Sequence, residues 1–364
     1  MLNNLIEKLK LVKDFRNNQG KRYPLWLVLL IIILGIMEGY VSYRALGDFS
    51  QNKKEIILKM FGANLKDTPD YSTIRRVMIG VNWEELLKIF NVWADAEYGN
   101  RDDITYLGMD GKCLKSTVIE SDNKKQNFIM IVSLFSQETG LVLHMKQFEN
   151  KEGSEIDQFR DTVRDCELEN KIFMGDALHC QKNTISEIIS TNNDYIFQVK
   201  ANQKNLYKEL KIIAETEQPL SCDVELDVSH GRKILRKVSV FERTGNKINN
   251  WEKFKSFIKV ERSGERENKL YEEVAYYISS CQKNAQEFAE KIRGYWKIEN
   301  QLHWVKDVVL EEDTNGISDF QPATNLSILK TIGMNLLRSL GFLSITEGQR
   351  WLASRWERLT ILYL

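Results

Sequence analysis

The spacing of the hydrophobic residues changes twice along the chain, and this limits the folds that the sequence can adopt. Up to about residue 100 the apolar residues recur at helical spacing. From about residue 103 they form short strand-like runs that alternate with helical segments, and after Asn284 the helical spacing returns. The pattern therefore predicts an α/β core between two helical regions.

The order of elements in the middle of the chain narrows the fold further. Strands are expected at 104–109, 128–135 and 141–148, followed by a helix. Further strands at 171–175 and 195–199 alternate with helices. We expect this order from an RNase H-like core, in which a mixed sheet carries helices on its faces.

Residues 220–280 are rich in strand-like runs with little helical signal, which predicts a β-rich insertion into the core. We therefore expect four parts, the first of them all-α and DNA-binding. They are residues 1–100, the first part of the core at 101–218, the insertion at 219–283, and the core completion with C-terminal helices at 284–364.

The charge and the cysteines exclude several classes of protein. Lys+Arg and Asp+Glu number 51 each, so a uniformly basic DNA-coating protein is excluded, although local basic patches are not. The five cysteines form no C-x-x-C pair, which argues against a zinc ribbon or a disulfide framework and favours a reducing compartment.

One apolar run, Leu25–Met37, raises the question of a membrane. Its 13 residues fall short of the ~20 that span a bilayer. We therefore expect a buried helix and no membrane contact, with a membrane-associated protein as the weaker alternative.

Two aspartates follow predicted strands. Asp110 and Asp176 each lie beside a glycine, Gly111 and Gly175, which permits close approach of a ligand. Two carboxylates held together repel each other unless a cation lies between them, and Mg²⁺ prefers oxygen ligands. The pair thus predicts a metal site.

Glu299 is the candidate for a third carboxylate. On a helix, Trp296, Glu299 and His303 would share one face, and Arg293 and Lys306 would lie one and two turns away. Acidic residues that bind metal, flanked by basic residues that bind phosphate, are what two-metal phosphoryl transfer requires.

The chain resembles the DDE-type transposases of bacterial insertion sequences over about residues 10–345, in particular the H-repeat-associated group related to the IS-four type. The matching segments are Asp14–Arg16, Lys21–Pro24, Met109–Lys112, Gly175–Gln181, Val199–Gln203, His230–Arg232, Ile298–Trp304 and Glu312-Asp313.

The resemblance implies that Asp110, Asp176 and Glu299 form the DDE triad and bind Mg²⁺, for which Mn²⁺ can substitute. It implies cleavage of double-stranded DNA at transposon ends and strand transfer into target DNA. A homodimer on paired ends is also implied, and we expect a cytoplasmic protein. Lys306 follows Glu299 at the same distance as the Lys of the family's C-terminal signature follows its Glu. Arg293, however, lies six residues before Glu299, whereas the signature Arg lies four residues before the Glu.

Basic residues near the motifs are expected to contact DNA phosphates. Trp296 and Trp304, by contrast, are expected in the core more than as platforms for base stacking. The expected DNA-binding residues are Arg75, Arg76, Lys112, Lys115, Lys200, Arg232, Arg293, Lys297, His303 and Lys306.

Two alternatives remain open from the sequence. A Mg²⁺-dependent nuclease without transposition would use the same triad, and an assay of strand transfer would distinguish it. A domesticated, non-catalytic DNA-binding protein is the other, and the three intact carboxylates argue against it.

Overall fold

The structure is a computed structural model. It describes residues 1–61, 65–99, 101–118, 126–229, 232–242, 251–266 and 269–363.

The N-terminal region is helical, as its hydrophobic spacing predicts. Side-chain caps fix two helix starts: Asp70 accepts a hydrogen bond from the Thr73 amide at 2.8 Å, and Asn82 accepts one from the Glu85 amide at 2.9 Å. The helices are α1 (Leu2–Leu9), α2 (Leu25–Met37), α3 (Tyr43–Asn52), α4 (Lys54–Phe61), α5 (Tyr71–Gly80) and α6 (Trp83–Ala94).

Helix α2 is the apolar run, and all its residues except Trp26 are buried. Among the described residues, the segment Asn18–Met37 has the length and composition of a membrane span, but 72% of its most apolar window lies inside the protein. The expectation of a buried helix is confirmed.

The described strands form one nine-stranded sheet in the order β3-β2-β1-β4-β5-β9-β8-β7-β6. The strands β1, β2 and β3 are antiparallel, whereas β4 and β5 run parallel to β1. The strands are β1 (Tyr106–Cys113), β2 (Ile129–Ser136), β3 (Val142–Glu149), β4 (Ile172–Gly175), β5 (Asp194–Val199), β6 (Ser221–Ser229), β7 (Arg232–Glu242), β8 (Ser256–Arg266) and β9 (Lys269–Ser279).

The first five strands have the predicted order, with α7 (Glu155–Asp165), α8 (Lys182–Ser190) and α9 (Lys204–Thr216) as connecting helices. The mixed RNase H-like sheet is thus confirmed. The β-rich segment extends this sheet, because β9 pairs antiparallel with β5. The division into four domains stays a prediction.

The C-terminal helices are α10 (Ala285–Tyr295), α11 (Phe320–Ser339) and α12 (Ile345–Ser354). Helix α11 is buried along almost its whole length. Its polar side chains satisfy backbone groups of its neighbours: Asn325 donates to the Met78 carbonyl at 2.9 Å, and Asn335 donates to the Val142 carbonyl at 2.7 Å. Helix α11 therefore connects the N-terminal helices to the sheet.

A buried histidine joins the sheet to α6 and makes stability depend on pH. His144 Nε2 on β3 lies 3.3 Å from Asn91 Nδ2, and burial lowers the pKa of His144 to about 4 from 6.5. Between these values the unfolded chain binds a proton that the folded chain does not. The free energy of unfolding should therefore decrease by at most about 3 kcal/mol as the pH falls from 6.5 to 4.

The measurement is urea unfolding of the wild type and His144→Gln at several pH values between 7 and 4. The variant should lose less stability on acidification, because it has no imidazole to protonate. Parallel pH profiles for the two proteins would contradict the prediction.

Candidate metal centre

Asp110 and Asp176 lie at the same level on neighbouring parallel strands. The last paired positions of β1 and β4 are Gly108 and Met174, and each aspartate comes two residues later. Asp176 directly follows β4, as expected. The expectation that Asp110 ends its strand is wrong, because pairing of β1 with β2 continues to Cys113.

Glu299 and His303 approach Asp110 from a helical segment. His303 Nε2 lies 3.1 Å from Asp110 Oδ2, and the potential ligand atoms of Asp110, Glu299 and His303 all lie within 4.8 Å of one another. The segment Ile298–His303 is π-helical instead of the expected regular helix. Single π turns in helices are often found at functional sites.

Tyr295 packs between the two aspartate-bearing strands. Its hydroxyl donates to the Met109 carbonyl at 3.3 Å. Burial raises the pKa of Tyr295 well above its ordinary value, and the negative charges of Asp110, Asp176 and Glu155 raise it further. The phenol therefore stays neutral beside a cluster of carboxylates.

Another carboxylate, that of Glu155 at the start of α7, lies beside the turn that follows β4. His179 Nε2 lies 3.0 Å from Glu155 Oε1 and 4.0 Å from Asp176 Oδ1, and its ring stacks on Phe159. A Cβ atom at Gly111 would lie 2.6 Å from Glu155 Cδ, so the glycine makes room for this carboxylate. Sequence reasoning missed Glu155, whose only local signal is its place after the helix-capping Ser154.

The donor atoms suit a divalent cation. Asp110 and Glu299 offer carboxylate oxygens, which hard cations such as Mg²⁺ prefer, and His303 offers a nitrogen. Asp176 lies level with Asp110 on the neighbouring strand but is not part of this close group of ligand atoms. Without a cation, several carboxylates in one cleft would repel one another. These residues therefore fit the metal that the sequence predicts.

Lys112, two residues after Asp110, is held by acids that follow Glu299 in the chain. Its Nζ lies 2.7 Å from Asp307 Oδ1, 3.1 Å from Asp313 Oδ1 and 3.4 Å from Glu312 Oε2. These carboxylates raise the pKa of Lys112 even though burial opposes the shift. The ion pairs tie β1 to the segment that carries Glu299.

Glu312 lies among these charged side chains, and Lys306 lies beside it. Lys306 is 2% exposed; its Nζ lies 3.6 Å from Glu312 Oε1 and donates to Ser327 Oγ at 2.8 Å. Burial alone would raise the pKa of Glu312, but the charges of Lys306, Lys112 and Lys330 lower it to about 2. Burial lowers the pKa of Lys330 to about 8. We call Lys112, Lys306, Lys330, Asp307, Glu312 and Asp313 the buried charge network.

Two protein-family models together match most of the chain. The transposase DDE domain matches residues 109–336, and a domain described as DDE_Tnp_1-associated matches residues 6–94. The chain belongs to the DDE transposase family.

Relatives of this DDE transposase extend over almost its whole length. "Putative transposase YncI" of Escherichia coli O157:H7 is 29% identical and covers 93% of the chain and 88% of its own. "H repeat-associated putative transposase YhhI" of Escherichia coli K12 is 28% identical, with 92% and 90% covered. A solved piggyBac transposase synaptic complex with hairpin DNA has 8% identity and a TM-score of 0.47, and covers 97% of the chain and 75% of its own.

The basic residues expected on DNA fall into two groups in this transposase. Arg75 and Arg76 on α5 are exposed, and so are Lys200 after β5 and Lys297, whose Nζ donates to the Gln137 carbonyl at 2.9 Å. Lys115 is 72% exposed, but its Nζ lies 2.9 Å from Asp313 Oδ2. The described side chains do not include that of Arg232.

The other basic residues each contact an acidic side chain. Lys112 and Lys306 are neutralised inside the buried charge network, which does not agree with their expected contact with DNA. Arg293 pairs with Glu225 on β6. His303 points at Asp110 instead of at a surface that could meet phosphate.

The two tryptophans that flank Glu299 also differ from expectation. Trp296 is 50% exposed and Trp304 is 52% exposed, so neither is a core residue. The π-helical turns change which side chains point outward, and a regular helical period cannot predict that change.

Glu312→Gln tests the buried charge network. The substitution leaves Lys112, Lys306 and Lys330 in the interior with one fewer negative charge, so the free energy of unfolding should fall by about 3–5 kcal/mol. Urea unfolding measures the decrease. The control is Glu311→Gln, the exposed neighbour, which should change stability by less than about 0.5 kcal/mol. Equal effects of the two variants would show that the network does not stabilise the fold.

Proposed function

We propose that this chain is a transposase that cleaves double-stranded DNA at transposon ends and joins those ends to target DNA. The observation that carries the proposal is the position of Asp110, level with Asp176 and within ligand distance of Glu299 and His303. Membership of the DDE transposase family supports the same conclusion.

Asp110, Asp176 and Glu299 would hold two Mg²⁺ ions, for which Mn²⁺ can substitute. Bound there, the ions would activate a water or a 3′-hydroxyl and stabilise the leaving oxygen of the phosphodiester. The protein's own contribution is positional: the buried charge network holds β1 against the segment that carries Glu299, and the neutral Tyr295 phenol lies near the carboxylates without adding charge.

The exposed basic side chains suggest two paths for DNA. Arg75 and Arg76 are both exposed on α5 in the N-terminal helical region. A groove of about 1460 Å³ runs between α10 and the extended sheet, lined by the exposed Lys297, by the half-buried Arg236 and Arg262, and also by acidic residues. Phosphate contacts from such residues give affinity without sequence preference.

We infer that the protein acts in the cytoplasm as a homodimer on paired ends. The described cysteines are free thiols, which suits a reducing compartment. The dimer follows from the reaction itself, since two ends must be processed together before they join one target.

The triad is tested with Asp110→Asn, Asp176→Asn and Glu299→Gln. Each should reduce cleavage of a plasmid that carries the element's ends by roughly 10³-fold or more, because each removes a charged metal ligand. Gel analysis of cleaved and joined products measures both steps. Asp161→Asn, an exposed acid of α7, is the control that should keep wild-type activity.

Wild-type cleavage by any of the triad variants would contradict the assignment of that residue. Metal-dependent cleavage by the wild type without end specificity and without joined products would favour the nuclease alternative instead.

The N-terminal DNA path is tested by the salt dependence of end binding. Replacing both Arg75 and Arg76 with Ala should make the plot of log affinity against log salt less steep. The magnitude of its slope should fall by roughly one for each phosphate that the variant no longer neutralises. Fluorescence anisotropy at several salt concentrations measures the slope. Lys88→Ala, an exposed lysine on α6, is the control that should leave the slope unchanged. An unchanged slope in the double variant would place the DNA path elsewhere.

A further inference from the structure

We propose that His303 is a nitrogen ligand of the metal centre, so that the ion beside Asp110 and Glu299 is bound by two carboxylates and one imidazole. The inference rests on the proposed function, because it concerns the ion that the triad would hold. His303 is then a ligand of the metal and not the DNA-binding residue that the sequence alone predicts.

The distances suit a shared ion. Two ligand atoms on one ion at ~2.1 Å lie at most about 4.2 Å apart. His303 Nε2 and Asp110 Oδ2 are 3.1 Å apart, and all three ligand atoms lie within 4.8 Å of one another. A movement of a few tenths of an ångström by the exposed Glu299 side chain completes the set.

Burial favours a ligand over a DNA contact. The His303 side chain is only 7% exposed, so its ring cannot reach a phosphate on the protein surface. Within the described residues its Nδ1 atom is buried and has no hydrogen-bond partner. The 3.1 Å contact with Asp110 shows that Nε2 is the nitrogen that faces the cleft, and it faces a carboxylate that the proposed function assigns to the metal.

The spacing of the two residues suits a shared ion. Glu299 and His303 are four residues apart, which keeps them on one face of the helical segment. Gln301, between them, accepts a hydrogen bond from the buried Arg338 through its carbonyl. This contact holds the segment in place independently of a metal.

An imidazole ligand has a consequence for metal choice. Mg²⁺ prefers oxygen donors, whereas imidazole nitrogen favours transition metals. The centre should therefore bind Mn²⁺ more tightly than Mg²⁺, and His303→Gln should reduce this preference. We expect the variant to bind Mn²⁺ about tenfold more weakly, with a smaller decrease for Mg²⁺.

The test is pulsed electron paramagnetic resonance of Mn²⁺ bound to the full-length protein without DNA. The wild type should show modulation from a directly bound imidazole nitrogen, and histidine labelled with the heavy nitrogen isotope should change that signal without any substitution. His303→Gln should bind Mn²⁺ without the modulation. His144→Gln, which removes a buried histidine elsewhere, is the matched control and should keep it.

Each other outcome overturns a defined claim. Mn²⁺ binding that depends on Asp110 but shows no imidazole nitrogen in the wild type overturns this inference and leaves the proposed function intact. Modulation that persists in His303→Gln also overturns it, since another histidine is then the ligand. Failure of the wild type to bind Mn²⁺ at all overturns both proposals.

Discussion

The ion pairs of the Lys112 ammonium bring the two halves of the candidate centre together. Asp110 and Glu299 lie on segments that are far apart in sequence, and their carboxylates repel each other. Lys112 shares the strand of Asp110 and pairs with Asp307, which follows Glu299 on the same helical segment. Because Lys112 is buried and Asp307 is partly buried, solvent screens the pair less than it would a surface pair, and its geometry helps to set the spacing between the strand and the helix.

Helix α11 also helps to hold the segment that carries Glu299 against the sheet. Ser327 accepts a hydrogen bond from Lys306, and Lys330 adds positive charge near Glu312. Farther along, the buried Arg338 donates to the carbonyls of Gly140 and Gln301, which ties the β2–β3 hairpin to the π-helical turn. One helix thus supports the sheet, the charge network and the metal segment, and this explains why its polar side chains are buried.

The sequence predicts those features that depend on local pattern. The order of the strands along the chain and the bounds of α2 follow from hydrophobic spacing, and the strand-following position of Asp176 follows from its neighbours. Lys112 and Lys306 could not be placed in this way. A lysine beside a motif has the same local pattern whether it meets a phosphate or a buried carboxylate, and only the long-range contact with Glu312 decides between them.

The negative charge of the candidate centre affects the order in which metal and DNA would bind in the proposed reaction. Asp110, Asp176, Glu155 and Glu299 place negative charge where the proposed reaction needs a phosphodiester, and Lys112 and Lys306 are already neutralised by Asp307, Glu312 and Asp313. We therefore expect a phosphate to enter the cleft more favourably together with cations. Contacts at Arg75 and Arg76 have no such requirement, because these side chains are exposed and lie on the separate helix α5. We therefore expect DNA to bind the N-terminal helices without metal, and engagement of the scissile phosphate to depend on metal.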